Sequence, residues 1–248
     1  MKINYIKFGT GEKTMLILPG IGIKPVCIAP DPVIEAYKTF TDEFTVYLFD
    51  PRNDLPEVYD IETMAEDVYG KIEELDLKDI YLYGVSMGGM VAMALTAAHP
   101  QLIKKLVLCS SVHKGNEIFD KWYEFAKAKD SYRLVDSFMD SVYSKDFNDR
   151  YKEAAMVAFR EISDDEFRRF AILDDALRKC DMTHLLEELK DKDILLIGSR
   201  IDKVFSYEDM KNLAETIGCE TYFYDGCGHA IYDEMPDIKE RIKEFYLR

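Results

Sequence analysis

The chain has 248 residues, enough for one α/β domain with a sizeable core or a domain carrying one insertion. It is 48% hydrophobic and 32% charged, a balance that argues against the disordered and membrane classes. Its 47 acidic residues against 32 basic give a formal net charge of −15, which argues against nucleic acid as a partner, because phosphate binding needs clustered Lys and Arg.

Taken in chain order, the N-terminus "MKINYIKFGTGEKTM" lacks the apolar core of a signal peptide. The apolar run "MLILPGIGI" is too short to span a bilayer and is broken by Pro19, Gly20 and Gly22. Buried strands are expected at Met15–Leu18, Phe44–Phe49, Ile80–Tyr83, Leu106–Cys109, Ile194–Ile197 and Glu220–Tyr224. Between them, helical spacing runs over Ile61–Leu75, Met87–Ala98, Tyr207–Ile217 and Ile238–Tyr246. Strands alternating with crossover helices imply a mostly parallel sheet covered on both faces. From about His113 to Leu189 the strand signal stops, and helices are expected around Phe119–Lys129, Ser131–Tyr143, Phe147–Arg160 and Asp164–Lys179. This divides the chain into a core of residues 1–112 and 190–248 and a helical insertion at 113–189. Five cysteines with no CxxC spacing imply neither a disulfide framework nor a zinc site; reduced, mostly buried thiols in a cytoplasmic protein are expected.

The stretch "IYLYGVSMGGM" sets Ser86 in Gly-x-Ser-x-Gly between a strand and a helix. That is the nucleophile elbow, a sharp turn that exposes a serine hydroxyl and aims the amide of Met87 and the following helix N-terminus at the group it attacks. Serine at neutral pH needs a base, and the base an orienting acid. Of four histidines, His99 ends the elbow helix, His184 joins an amphipathic segment, and His113 has no acid placed to orient it. His229 sits in "DGCGHAIYDEMP" directly after a strand, where parallel sheets place their sites, and is the expected base. In "ILLIGSRID", Asp202 follows another strand and is the expected acid.

Ser86, Asp202 and His229, in that chain order, follow the order of the α/β-hydrolase fold. The sequence resembles that superfamily over nearly its whole length through "GVSMGG", "GSRID", "GCGHAIYDEMP", "DPR" and "HPQLIKKLVLCSS". It is most similar to small, capped serine hydrolases that include lipase-like esterases. The resemblance implies a mostly parallel central sheet and an inserted cap at 113–189. It also implies a carboxylesterase-like activity on a small, partly apolar ester or thioester substrate, without metal or organic cofactor. A carbon–carbon bond hydrolase or thioesterase on the same triad, and a ligand receptor or signalling module of this fold, stay open. In the family, His-Gly usually precedes the second oxyanion donor. Here "LPGIGIKP" has Pro19 in place of that histidine, and Ile21 matches the amide donor beside Met87. The cap aromatics Phe119, Trp122, Tyr123 and Phe138 are the candidate substrate contacts.

Overall fold

The computed structural model describes residues 3–248. Seven strands form one sheet: β1 (Tyr5–Phe8), β2 (Lys13–Leu18), β3 (Phe44–Phe49), β4 (Ile80–Val85), β5 (Ile103–Cys109), β6 (Ile194–Ser199) and β7 (Glu220–Tyr224). Their order is β1-β3-β2-β4-β5-β6-β7, with only the β1–β3 pair antiparallel. The central strands are apolar and buried towards their carboxyl ends, where both faces are covered. Alternation sorts their side chains. Leu16, Leu82, Leu106 and Leu196 enter one core with α2 (Ile61–Glu74) and α3 (Met87–Ala98). Ile17, Tyr83, Val107 and Ile197 enter the other, with Ile238, Ile242 and Tyr246 of the C-terminal helix. Between β2 and β3 lies the short helix α1 (Pro30–Ala36). Among the described residues no helix is long and apolar enough to cross a membrane.

Between β5 and β6 the chain runs through α4 (Ile118–Lys127), α5 (Ser131–Val142), α6 (Lys145–Ala158) and α7 (Asp164–Lys179). Asp130, Ser144 and Ser163 cap the last three through their side chains, and Ser163 with Glu166 completes a capping box. α4 packs on α7 and α5 on α6. The two legs of the insertion are tied at its base: Gly115 N–H donates to Cys180 O (3.0 Å), Met182 N–H to His113 O (2.9 Å), and Lys114 pairs with Asp181 in an isolated bridge. This stem closes before residue 183, so the 3₁₀ segment Thr183–Leu189 packs on α3 and on α8 (Tyr207–Ile217). The chain ends in α9 (Ile231–Glu234) and α10 (Ile238–Leu247).

The expected elements coincide closely with observed ones, and β1, α1 and α9 are additions to them. β1 is a four-residue edge strand whose Tyr5 and Lys7 face solvent, so its apolar signal is only Ile6 and Phe8.

One buried charge makes the insertion sensitive to pH. Asp174 of α7 is fully buried, with Asp120 and Tyr123 of α4 nearby. Burial pushes its pKa up to about 8, against the pull of Arg178. A carboxyl that titrates near 4 when unfolded and near 8 when folded holds its proton more tightly in the native state. Its contribution is present below the unfolded pKa and is lost as pH rises towards 8. The Tm of the wild type should therefore fall between pH 5 and pH 8 by more than that of Asp174→Asn, as differential scanning fluorimetry can check. Parallel profiles would show that Asp174 does not titrate in that window.

Candidate active site

β4 ends at Val85, and the chain turns at Ser86 into α3 with φ 51° and ψ −117°. A non-glycine residue there carries strain of about 1–3 kcal/mol, held by the surrounding structure. The holding bonds are visible. Ser86 N–H donates to Cys109 O (2.9 Å), Ser111 Oγ donates to Ser86 O (2.9 Å), and the amides of Gly89 and Met90 donate to the same oxygen. The elbow glycines are steric necessities. A Cβ on Gly84 would lie 2.6 Å from Gly88 O, and one on Gly88 would lie 2.0 Å from Leu18 O and 2.6 Å from Pro19 O. Because the latter clashes are with backbone, Gly88→Ala should lower Tm by about 5–10 °C. An unchanged melting curve would mean that the loop after β2 yields freely.

Asp202 and His229, the expected acid and base, come from the loops after β6 and β7. Asp202 Oδ2 lies 2.8 Å from His229 Nδ1. Its other oxygen, Oδ1, accepts from the amides of Val204 (2.7 Å) and Phe205 (3.0 Å). With both oxygens engaged, the carboxylate has a fixed orientation, and the imidazole is left to present Nε2 on its opposite edge. Ser110 Oγ, at the end of β5, donates to His229 O (2.6 Å), and the Phe205 ring stands edge-on to the imidazole at 5.5 Å. Ser86, Asp202 and His229 are 6%, 8% and 4% exposed. The other histidines lie elsewhere. His99 stacks on Tyr69 beside Glu66, His184 faces Glu62 on the surface, and His113 stands at the stem of the insertion.

The loop after β2 passes beside the serine. A Cβ on Gly20 would lie 3.2 Å from Ser86 Cβ, so the loop passes close against the serine. Ile21 is the next residue, and Met87 follows Ser86 at the first position of α3. Past the loop, buried Asp50 accepts from the amides of Val26 (3.0 Å) and Cys27 (2.7 Å), which fixes the segment that returns from the site. From the insertion, Arg169 Nη1 donates to Gly22 O (3.2 Å).

Of the four candidate contacts on the insertion, Phe119 approaches the site most directly: its ring packs on Phe205, which packs on His229. Trp122 is 1% exposed, packs on Phe119 and Phe138 and donates from Nε1 to Ser137 Oγ (3.2 Å). Phe138 also reaches Phe170 of α7. Tyr123 lies under the Arg178 guanidinium and lines a groove of about 420 Å³ with Lys127, Phe167 and Arg168, apart from the three triad residues.

Three residues around the site have no role in the sequence reading, although Asp50 and Glu234 fall within its "DPR" and "GCGHAIYDEMP" motifs. Arg169 and Asp50 are described above. The third, Glu234, accepts through Oε1 from Gly228 N–H (2.9 Å), beside His229, and from Ser144 N–H (3.1 Å), at the start of α6. The base loop is thus tied to the insertion, with Ala230 N–H donating to Val142 O (3.0 Å) alongside.

Residues 14–152 match the family model of the alpha/beta hydrolase fold. A provisionally named esterase/lipase of Haemophilus influenzae is 24% identical over 222 residues, covering 84% of this chain and 76% of that protein. Among solved structures, MGS-M2, an alpha/beta hydrolase enzyme from a Medee basin deep-sea metagenome, superposes with a TM-score of 0.87 at 22% identity, covering 99% of this chain and 94% of that one. The enol-lactonase of Burkholderia xenovorans superposes with a TM-score of 0.86 at 18% identity, covering 99% and 96%. At these identities the structures speak for the fold, and the match over more than half of the sequence carries the membership: the chain belongs to the alpha/beta-hydrolase fold family.

Proposed function

We propose that the protein is a serine hydrolase that cleaves a carboxylic ester or thioester of a small, partly apolar molecule, with Ser86 as nucleophile, His229 as base and Asp202 as orienting acid. One observation carries this reading: a buried histidine paired to a doubly anchored carboxylate at 2.8 Å, in loops at the same end of the sheet as the elbow serine. In this mechanism Nε2 of His229 takes the proton as Ser86 Oγ attacks the carbonyl carbon. The carbonyl oxygen becomes an oxyanion held by the amides of Met87 and Ile21. Each such donor contributes about a hundred- to a thousandfold in rate. The imidazolium, stabilised by Asp202, gives its proton to the leaving alcohol or thiol as the tetrahedral intermediate collapses. Water then attacks the acyl-enzyme, passes one proton to His229, and the serine leaves with that proton restored.

The helices α4–α7 act in this reading as a cap, and the low exposure of all three residues supports it. The test is intact-mass detection of a fluorophosphonate adduct on the wild type and on Ser86→Ala, followed by ester, thioester and diketone panels. One adduct on the wild type and none on the variant, with ester or thioester turnover, is the expected result. Turnover of diketones alone would move the reading to carbon–carbon bond cleavage. No adduct and no turnover would leave a ligand-binding module.

A further inference from the structure

Arg169 is a cation whose position the triad does not explain. It belongs to α7, yet its guanidinium leaves the insertion and bonds the carbonyl of Gly22. Gly22 is two residues past Gly20, where an added Cβ would lie 3.2 Å from Ser86 Cβ. Two virtual bonds of about 3.8 Å put the Gly20 and Gly22 α-carbons no more than about 7.6 Å apart. The cation thus stands beside the loop that carries Gly20 and Ile21. Its Nε is buried and meets no acceptor among the described residues. Burial pulls its pKa down, and the attraction of Asp50 only partly offsets this. The Asp50 oxygens are both engaged by the amides of Val26 and Cys27. A buried guanidinium donor without an acceptor is costly, and the edge formed by Nε and Nη2 has the spacing that takes a carboxylate through two parallel hydrogen bonds. Lys24, on the same loop, is not a substitute: it turns towards Glu166 (3.8 Å) and the Phe159 ring.

Resting on the hydrolase reading above, we propose that Arg169 is the anchor for a carboxylate of the substrate, so that the natural ester or thioester carries a carboxylate a few bonds from the scissile carbonyl. A carboxylate fits better than a phosphate dianion, because one guanidinium edge satisfies both carboxylate oxygens and leaves a third phosphate oxygen without a partner. This assignment gives an acidic chain a means of retaining an acidic ligand: attraction is confined to one desolvated contact, where it is strongest.

Two pairs of esters test it. For the acyl side, the p-nitrophenyl monoester of glutaric acid is compared with p-nitrophenyl pentanoate. For the alcohol side, 4-acetoxybutanoate is compared with butyl acetate. In at least one pair the wild type should favour the anionic member in kcat/KM, and Arg169→Gln should cut that ratio about thirtyfold or more, the worth of a charged hydrogen bond. Arg169→Lys, which keeps the charge but loses the fork, should give an intermediate ratio and guards against a variant that fails to fold. Preference for the neutral member in both pairs, or equal losses on anionic and neutral members, would overturn the proposal. The second result would make Arg169 a brace for the Gly22 loop and nothing more. Glutarate binding separates this proposal from the hydrolase reading: calorimetry should show glutarate bound by Ser86→Ala and not by Arg169→Gln. Binding in that pattern without turnover of any ester would sink the hydrolase reading and keep the anchor. Equal binding to both, or to neither, would sink the anchor.

Discussion

Ser86→Ala should reduce kcat/KM on an activated ester by about 10⁴- to 10⁶-fold, leaving a residue of catalysis from binding and oxyanion contacts. The size follows from what is lost: the acyl-enzyme route disappears, and water must attack without a covalent intermediate. Ser86→Gly separates chemistry from backbone. Glycine accepts φ near +51° without penalty, so this variant should be equally inactive yet about 1 kcal/mol more stable than Ser86→Ala in urea titrations. Equal stability of the two would mean that the turn is unstrained. Residual turnover within tenfold of wild type in either variant would remove Ser86 from the mechanism.

The second large effect is expected at Asp202→Asn, a loss of about 10⁴-fold in kcat. The surroundings make this more than a lost charge. The amides of Val204 and Phe205 already donate to one oxygen at 2.7 and 3.0 Å, so the asparagine carbonyl must take that place. Its NH₂ then points at His229 Nδ1, which becomes an acceptor, and the ring proton moves to Nε2. An imidazole with its proton on Nε2 cannot accept one from serine. Tm should change little, because the anchoring bonds survive. Asp202→Ala, by contrast, abandons two buried amides and should cost about 2–4 kcal/mol. If Asp202→Asn kept more than a tenth of wild-type kcat, the tautomer would not be set by this carboxylate.

Much of the scaffold is legible in the sequence, for reasons that differ by element. β3, α3, α7 and α8 have the expected bounds because each is delimited by its own chemistry: a capping serine, a following glycine or proline, or a strand buried on both faces. β1 escapes because an edge strand shows only half its residues to a core. Ser86, Asp202 and His229 are readable because a tight turn, a strand end and a glycine-rich loop leave local signatures. Arg169 leaves none. It is one of two adjacent arginines on an amphipathic helix, and only the fold decides that Arg168 meets Leu55 O while Arg169 reaches Gly22 O. Glu234 is hidden likewise, since its partners at 144 and 228 are brought together by packing.

The stem of the insertion bears on how the chain reaches this state. β5 ends at Cys109 and β6 begins at Ile194, yet the two strands pair in parallel from Leu106 with Ile194 to Cys109 with Ile197. Joining them directly means closing one long loop, the kind of non-local step that slows β-rich folding. Helices α4–α7 pack on one another, α4 on α7 most extensively, and the bonds from 113–115 to 180–182 tie the two ends of the insertion together. The long closure becomes a short one. The loops carrying Asp202 and His229, the proposed acid and base, then join Ser86, which lies much earlier in the chain. Under the proposed mechanism, a chain that has not yet closed this stem lacks its base, so reactivity would begin with the final strands of the sheet.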